Sequence, residues 1–428
     1  MDQRRLRFGV NYVPADRWWY SWTDWDAQAI HRDLRALAAL GFDHVRVHCL
    51  WTIFQPNSNY VSPQALDRLG ELLDTADAAG LDVQVTVLNG WLSGFAFFPA
   101  WVGPFAGGAV RNMFTDSGVV AAEKQLFAQI AQRIANHPRF LGFDLGNELD
   151  VLFDLGHAAT VAETDAWAAD MLAHCAALAP GKLHVNGVDH RPWFADTGFS
   201  RRGLATTGAA TSLHTWIKFT GALDRYGFAG TGSRHLAEYA IELAKAYHDD
   251  PHRAIWIQEF GASTAWMPSD AIADFAEETI RSAATCADVW GFTWWCSHDL
   301  DPQLHGFDPL EYDLGLIDVQ QQVKPAGQRI AQLIAELHRT PPVPITRPIA
   351  LVLPDDQFAN DRNNRGWTFG DAYMQHIAAG VRPSVVLASC AADAAYLRAR
   401  GITTLIWLND NAARTHMPPV DVAAAEGV

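Results

Sequence analysis

Phe140-Leu141-Gly142-Phe143-Asp144-Leu145-Gly146-Asn147-Glu148 is an apolar, aromatic run that ends on two polar residues. Such a run is short for a helix and fits a strand buried on both faces, with any chemistry held at its carboxyl end. The pattern recurs along the chain. Residues 6–13, 44–51, 82–89, 183–188, 211–216, 254–261 and 289–297 read as seven more strands of this kind, and amphipathic stretches at 26–40, 64–79, 117–135, 163–179, 234–248, 269–286 and 324–338 read as helices between them. Only the helix expected between the fifth and sixth strands has no clear place. Strand-then-helix alternation over this length predicts an α/β fold, a (β/α)8 TIM barrel. A doubly wound open sheet would carry a glycine-rich phosphate loop after the first strand, where Gly9-Val10-Asn11-Tyr12 stands instead.

Beyond the last barrel helix, Thr340-Pro341-Pro342-Val343-Pro344-Ile345-Thr346-Arg347-Pro348 is dense enough in proline to favour a stiff connector. The expected division is therefore a barrel over 1–340, a linker over 341–348 and a small α/β appendage over 349–428. In the appendage, strands are expected at 349–353, 384–388 and 404–408, with helices at 370–379 and 391–400. It shows no cluster of His, Cys or carboxylates, so packing or assembly is its expected role.

Composition excludes several classes of partner. The 428 residues are 49% hydrophobic, enough for a large core, and the formal net charge is −16. That charge, without any basic run, speaks against nucleic acid and anionic lipid and for a neutral ligand. The 17 tryptophans supply flat faces of the sort that stack on sugar rings, although core packing accounts for many of them. Cys49, Cys175, Cys286, Cys296 and Cys390 are scattered and odd in number, which fits buried thiols rather than a disulfide framework or a zinc knuckle. Residues 1–7 lead into a strand without an apolar leader, giving a cytoplasmic expectation. Residues 83–110 carry no charge, but Asn89, Ser93, Pro99, Pro104 and several glycines interrupt them. A buried strand followed by an aromatic loop is expected there, rather than a membrane span.

Glu148 and Glu259, the latter in Ile255-Trp256-Ile257-Gln258-Glu259-Phe260-Gly261, close the fourth and seventh strands. Those strands face each other across a barrel, and strand C-termini form the mouth of its site. Two carboxyls facing across a sugar-sized gap are the minimal machinery for breaking a glycosidic bond, one holding a proton while the other stays ionised. Either glutamate alone would more simply be a helix cap or a surface ion-pair partner. The matched pair points to chemistry.

Gly146-Asn147-Glu148 and Gln258-Glu259-Phe260-Gly261 resemble the fourth-strand and seventh-strand signatures of family 5 glycoside hydrolases, retaining enzymes of clan A. Arg46 in His44-Val45-Arg46-Val47 with Trp51, His214-Thr215-Trp216, Thr293-Trp294-Trp295, and the run from Leu314-Gly315-Leu316-Ile317-Asp318 to Lys324-Pro325-Ala326 extend the resemblance over residues 7 to about 339. It implies that Glu148 is the acid/base and Glu259 the nucleophile of a double displacement that retains configuration. Asn147 would bind the sugar 2-OH, Arg46 would hold Glu259 ionised, and Trp295 rather than Trp294 would form the platform under the sugar. His214 would contact Glu259 or a sugar hydroxyl. Neither cofactor nor metal is called for, and the expected partner is an oligosaccharide, a β-mannoside cleaved from its end.

One position departs from that pattern. Trp216 stands where a tyrosine hydroxyl is expected beside the nucleophile, and an indole N–H donates but never accepts, which leaves Tyr226 as another source of the hydroxyl. Trp18, Trp19, Trp22, Trp91 and Trp101 are candidates to line the cleft, and Asp299 in His298-Asp299-Leu300-Asp301 to bind a hydroxyl. Three alternatives stand beside this reading: a β-galactosidase of the family 42 or 35 type, a non-catalytic carbohydrate-binding barrel, and a metal-dependent hydrolase using His44 and His48.

Overall fold

The computed structural model describes residues 5–103, 108, 110–195, 197–355, 367–408 and 420–421. Residues 104–107 and 109 of the uncharged stretch, and the side chain of Trp19, lie outside that description. Seven parallel strands form one sheet in the spatial order Phe140–Gly146, Asp82–Asn89, His44–Leu50, Arg7–Asn11, Val289–Trp294, Ile255–Phe260 and Thr211–His214. Every residue of His44–Leu50, Phe140–Gly146 and Ile255–Phe260 is buried, as befits strands covered on both faces. Val289–Trp294 pairs with Arg7–Asn11, so the last strand returns to the first.

The remaining gap is filled by residues 183–188, which do not form a regular strand. Leu183 and Val185 donate to Leu141 and Phe143 at 2.8 and 2.9 Å on one side, while Ala209 donates to the His184 carbonyl at 2.8 Å on the other. This closes a (β/α)8 barrel. Its fifth position is irregular because side chains take over the ladder. The Gly187 N–H donates to the Asp144 carboxylate at 2.7 Å, and a Cβ at Gly187 would sit 2.7 Å from the Gly146 carbonyl oxygen and 2.8 Å from Asp144.

Local signals explain where the helices begin. Asp26, Ser62 and Asp116 accept N–H groups of the first turns of Ala27–Ala39, Pro63–Ala79 and Ser117–Ile134, and Thr160 with Glu163 forms a capping box on Val161–Leu178. Leu236–Lys245, Ser269–Ala283 and Pro325–Arg339 complete the outer ring. Between the fifth and sixth positions the chain makes only two short helices, Arg191–Phe194 and Arg201–Thr206. That explains the missing amphipathic signal. After the uncharged strand, Trp91–Leu92 and Phe95–Ala96 form a tight hairpin over the barrel mouth.

In the C-terminal region, Ile349–Leu353 lies between Ser384–Leu387 and Thr404–Trp407, all parallel, and Val420–Asp421 runs antiparallel at the edge. Helices Trp367–Ala378 and Ala394–Ala399 accompany this sheet. Its seam with the barrel contains buried ions. Arg347 pairs with Glu238 at 2.7 Å, and Glu242 accepts from Ser384 at 3.0 Å and pairs with Arg400 at 3.3 Å. Cys49, Cys175, Cys286 and Cys296 are buried free thiols, whereas Cys390 is partly exposed. Among the described residues no helix is long and apolar enough to cross a membrane.

Candidate active site

Glu148 follows the strand Phe140–Gly146 in the left-handed region, at φ 48° and ψ 51°. For a residue with a Cβ that conformation costs roughly 1–3 kcal/mol and persists only where the surroundings enforce it. It leads into the short helical stretch Leu149–Leu155, yet its side chain caps no N–H there. The carboxyl is thereby left to the barrel mouth. Glu259 lies near the end of Ile255–Phe260 with its side chain 3% exposed. An oxygen of Glu148, an oxygen of Glu259 and a ring nitrogen of His214 all lie within 4.8 Å of one another.

Arg46 fixes Glu259 from below. All five of its N–H groups are used: Nε and Nη2 donate to Asp144 at 3.0 and 2.7 Å, Nη1 to Asn11 at 3.0 Å and Glu259 at 2.5 Å, and Nη2 also to Asn147 at 3.0 Å. A guanidinium filled in this way is a rigid template rather than a mobile counter-ion. Asp144 also accepts from Thr86 at 3.1 Å and from the Gln258 amide at 3.2 Å. Because the Gln258 NH2 faces Asp144, its oxygen faces His214 Nε2 at 3.2 Å, which puts the hydrogen of a neutral His214 ring on Nε2. His214 Nδ1 is then an acceptor, 3.0 Å from Glu148 and 3.4 Å from Glu259.

The two carboxyls are unlike in their surroundings. Burial pushes Glu148 well above the ordinary carboxyl range, and the negative Asp189 and Asp150 push it further. Burial also raises Glu259, but there the Arg46 guanidinium opposes it, as His214 does whenever its ring is protonated. Nearby, against burial, the His190 ring and N–H hold Asp189 below the usual carboxylate range, whereas burial and Asp189 raise Asp150 to about 6. Glu148 thus keeps its proton at a pH where Glu259 has lost one.

Trp216 donates its indole N–H to the second oxygen of Glu259 at 3.3 Å. Tyr226 is not the missing hydroxyl, since it donates to Asp371 on the C-terminal helix and stacks edge-on against Trp367. Trp295 lines a cleft of about 730 Å³, whereas Trp294 turns outward and donates to the Leu314 carbonyl at 3.0 Å. Trp91 lines the cleft too, and its carbonyl accepts from Asn147 at 3.2 Å. Trp18 packs edge-on against Trp295 at 6.2 Å, supporting it from behind. Trp22 and Trp101 belong to the packing, donating to the carbonyls of His48 and Gln55.

Asp299 corrects the sequence-based expectation. Its carboxylate pairs with Lys324 at 2.8 Å and accepts the Gly315 N–H, which places it behind the last strand and away from the cleft lining. The two histidines of the metal reading do not converge either. His44 is held between Asp43 and Thr293, and His48 between Asn89 and Asn11. Glu148, His214 and Glu259 are close enough to hold an ion, but Arg46 stands 2.5 Å from Glu259 and opposes a cation electrostatically.

The sequence reading missed Asp189, His190, Arg191, Phe219, Glu311 and Trp367, which also line the cleft. They sit in loops and short helical elements where no strand end marks them, or, for Trp367, on a helix far along the chain. Trp367 comes from the C-terminal helix and donates to the Thr220 carbonyl at 2.7 Å.

Residues 8–172 match the family described as Cellulase (glycosyl hydrolase family 5). A GH5_18 from Streptomyces cattleya, a glutamate-to-alanine variant in complex with Manβ1-4GlcNAc, is 40% identical with a TM-score of 0.89, over 94% of this chain and 98% of its own. A GH5_18 variant from Bifidobacterium longum subsp. longum, also in complex with Manβ1-4GlcNAc, is 33% identical with a TM-score of 0.88, over 97% and 99% of the two chains. An exo-β-1,4-mannosidase from Opitutaceae bacterium strain TAV5, 24% identical with a TM-score of 0.74 over 89% and 69%, shares the fold. No curated protein matches the chain.

Proposed function

Since the chain belongs to glycoside hydrolase family 5 and is a retaining glycosidase of clan A, we propose that it removes terminal β-linked mannose from short oligosaccharides, with Manβ1-4GlcNAc as the favoured unit. The observation that carries this reading is the approach of the Glu148 and Glu259 carboxyls to within 4.8 Å, in line with the roughly 5 Å gap of retaining enzymes and too narrow for the intervening water of inverting ones. Family membership displaces the β-galactosidase alternative of families 42 and 35.

Glu259 attacks the anomeric carbon while Glu148 protonates the departing oxygen; the glycosyl–Glu259 ester is then hydrolysed by water that Glu148 deprotonates. Arg46 and Trp216 hold the Glu259 oxygens in line and favour its ionised form. His214 spans the two acids, and its Nδ1 accepts the proton side of Glu148 in the resting enzyme. Asn147, anchored by Arg46 and the Trp91 carbonyl, presents its amide to the 2-OH. Trp295 carries the apolar face of the sugar. The mannose preference is supported by the disaccharide bound in the two GH5_18 relatives, and the exo mode by the hairpin and last-strand loop that meet over one end of the cleft.

A panel of nitrophenyl β-glycosides with Manβ1-4GlcNAc, β-1,4-mannobiose and mannotetraose tests this. The expected result is hydrolysis of the mannosides, mannose as the first product from every chain length, and initial release of the β-anomer. Fast cleavage of glucosides or galactosides with slow mannosides, or internal cleavage of mannotetraose, would contradict it.

A further inference from the structure

Glu311 is one of four carboxyl residues that line the cleft besides Glu148 and Glu259, with Asp189, Asp224 and Asp308, and the double displacement leaves it without a task. It lies on the short helical turn Pro309–Tyr312, inside the long loop after the last barrel strand. That loop meets the hairpin after the third strand. Phe95 and Phe307 pack edge-on at 5.3 Å, Phe307 packs on Tyr312 at 5.9 Å, and the Tyr312 hydroxyl donates to the Leu304 carbonyl at 2.6 Å. Ser93, at the hairpin tip with φ 48°, accepts the Trp18 indole N–H at 3.3 Å and stands beside the Glu311 carboxyl. Trp18 in turn abuts Trp295, so the wall bearing Glu311 and the sugar platform form one packed unit.

The direction of the substrate follows from the acids. Glu148 protonates the leaving oxygen, so the leaving group extends on its side, past Asp189, Arg191 and Phe219. The sugar being transferred occupies the other side, over Trp295, with its C1–C2 edge toward Glu259 and Asn147. A sugar so placed would turn its far edge, bearing the 4-OH and 6-OH, to the wall made by the two loops, whose Ser93 and Glu311 line the same cleft as Trp295. We propose that Glu311 is a specificity-determining residue that binds a far-edge hydroxyl of the terminal sugar and so ends the cleft after one residue. The proposal rests on the reading of Glu148 and Glu259 as the reacting pair.

Its chemistry suits that task. Burial pushes the Glu311 carboxyl up to about 7, opposed by the Ser93 hydroxyl and reinforced by Glu259 and Asp308. A carboxyl in this state both donates to and accepts from a hydroxyl, and a protonated one adds no second negative charge beside the nucleophile. An aliphatic residue would leave the sugar hydroxyl unpaired in a closed end, where that is costly.

The test compares wild type, Glu311→Ala and Glu311→Gln on an aryl β-mannoside and on its 4-deoxy and 6-deoxy analogues. Wild type should lose roughly 10- to 100-fold in kcat/KM on one of the two deoxy sugars. In Glu311→Ala the parent mannoside should fall to that level and the deoxy penalty should vanish, while Glu311→Gln should keep part of it. Thermal unfolding of both variants near the wild-type temperature would separate loss of a contact from loss of the loop. A deoxy penalty of unchanged size in Glu311→Ala would overturn the proposal, as would wild type showing no penalty on either analogue. If wild type cleaves a different glycoside and no mannoside, the mannoside reading fails and the same deoxy series of that glycoside tests Glu311 independently.

Discussion

Glu148 and Glu259 are the same residue type in unlike surroundings, which is the basis of the opposite tasks proposed for them. Asp189 and Asp150 load negative charge around Glu148, while Arg46 and Trp216 donate to Glu259 and favour its ionised form. The sign of a pH effect follows. In the proposed role Glu148 serves as the acid only while protonated, so activity should be lost as pH rises through its pKa, and the Asp189 charge should place that loss at higher pH. Asp189→Asn removes the charge while keeping the shape, and should move the alkaline limb of kcat/KM down by roughly one pH unit with the acidic limb unmoved. An unmoved alkaline limb would remove Asp189 from the account. At this scale the sequence was most legible where motif and strand end coincide, as at Asn147, Glu148, His214 and Glu259, with Arg46 marked by its motif inside the strand His44–Leu50. Glu311 and Asp189 were hidden because their proximity to the acids arises from loops, and Asp299 misled because a carboxylate just past a strand can turn back to a lysine, here Lys324.

Among the elements, strands and helices announced themselves through short apolar runs and amphipathic spacing, whereas the fifth barrel position made only a partial strand. There, Asp144 and Gly187 replace ladder bonds with a side-chain contact, so residues 183–188, interrupted by His184, Asn186 and Gly187, make only partial pairing. The leaving-group side of the cleft shows a second effect of this kind. The short helix Ala222–Tyr226, which carries the cleft residue Asp224, is held by Asp371 of the C-terminal helix through Arg225 at 2.6 Å and the Tyr226 hydroxyl. Asp371→Ala should loosen this wall and raise KM for Manβ1-4GlcNAc about fivefold, the scale of one lost hydrogen bond. Turnover of an activated aryl mannoside, whose leaving group needs little help, should stay within about twofold. Equal losses on both substrates would mean that the contact serves stability alone.

As a whole, the molecule uses its C-terminal region for more than the packing or assembly expected from sequence. Trp367 reaches the cleft lining, Tyr373 packs on Tyr239 at 4.9 Å, and the buried Arg347, Glu238 and Glu242 ions join the small sheet to the barrel. No motif within residues 349–428 signals this, because the contribution depends on which barrel loop the helix Trp367–Ala378 packs against. The barrel itself was legible because its alternation of strand and helix is dictated by covering both faces of a parallel sheet. Closure of that barrel brings Glu148 and Glu259 from separate strands to within 4.8 Å of each other, and the most direct test of the proposed double displacement is to trap the intermediate it requires. Incubation with 2-deoxy-2-fluoro-β-mannosyl fluoride, followed by mass spectrometry of the intact chain and its peptides, should show one fluoroglycosyl group attached to Glu259. Attachment to any other residue, or turnover without an adduct and with inverted product, would contradict the account.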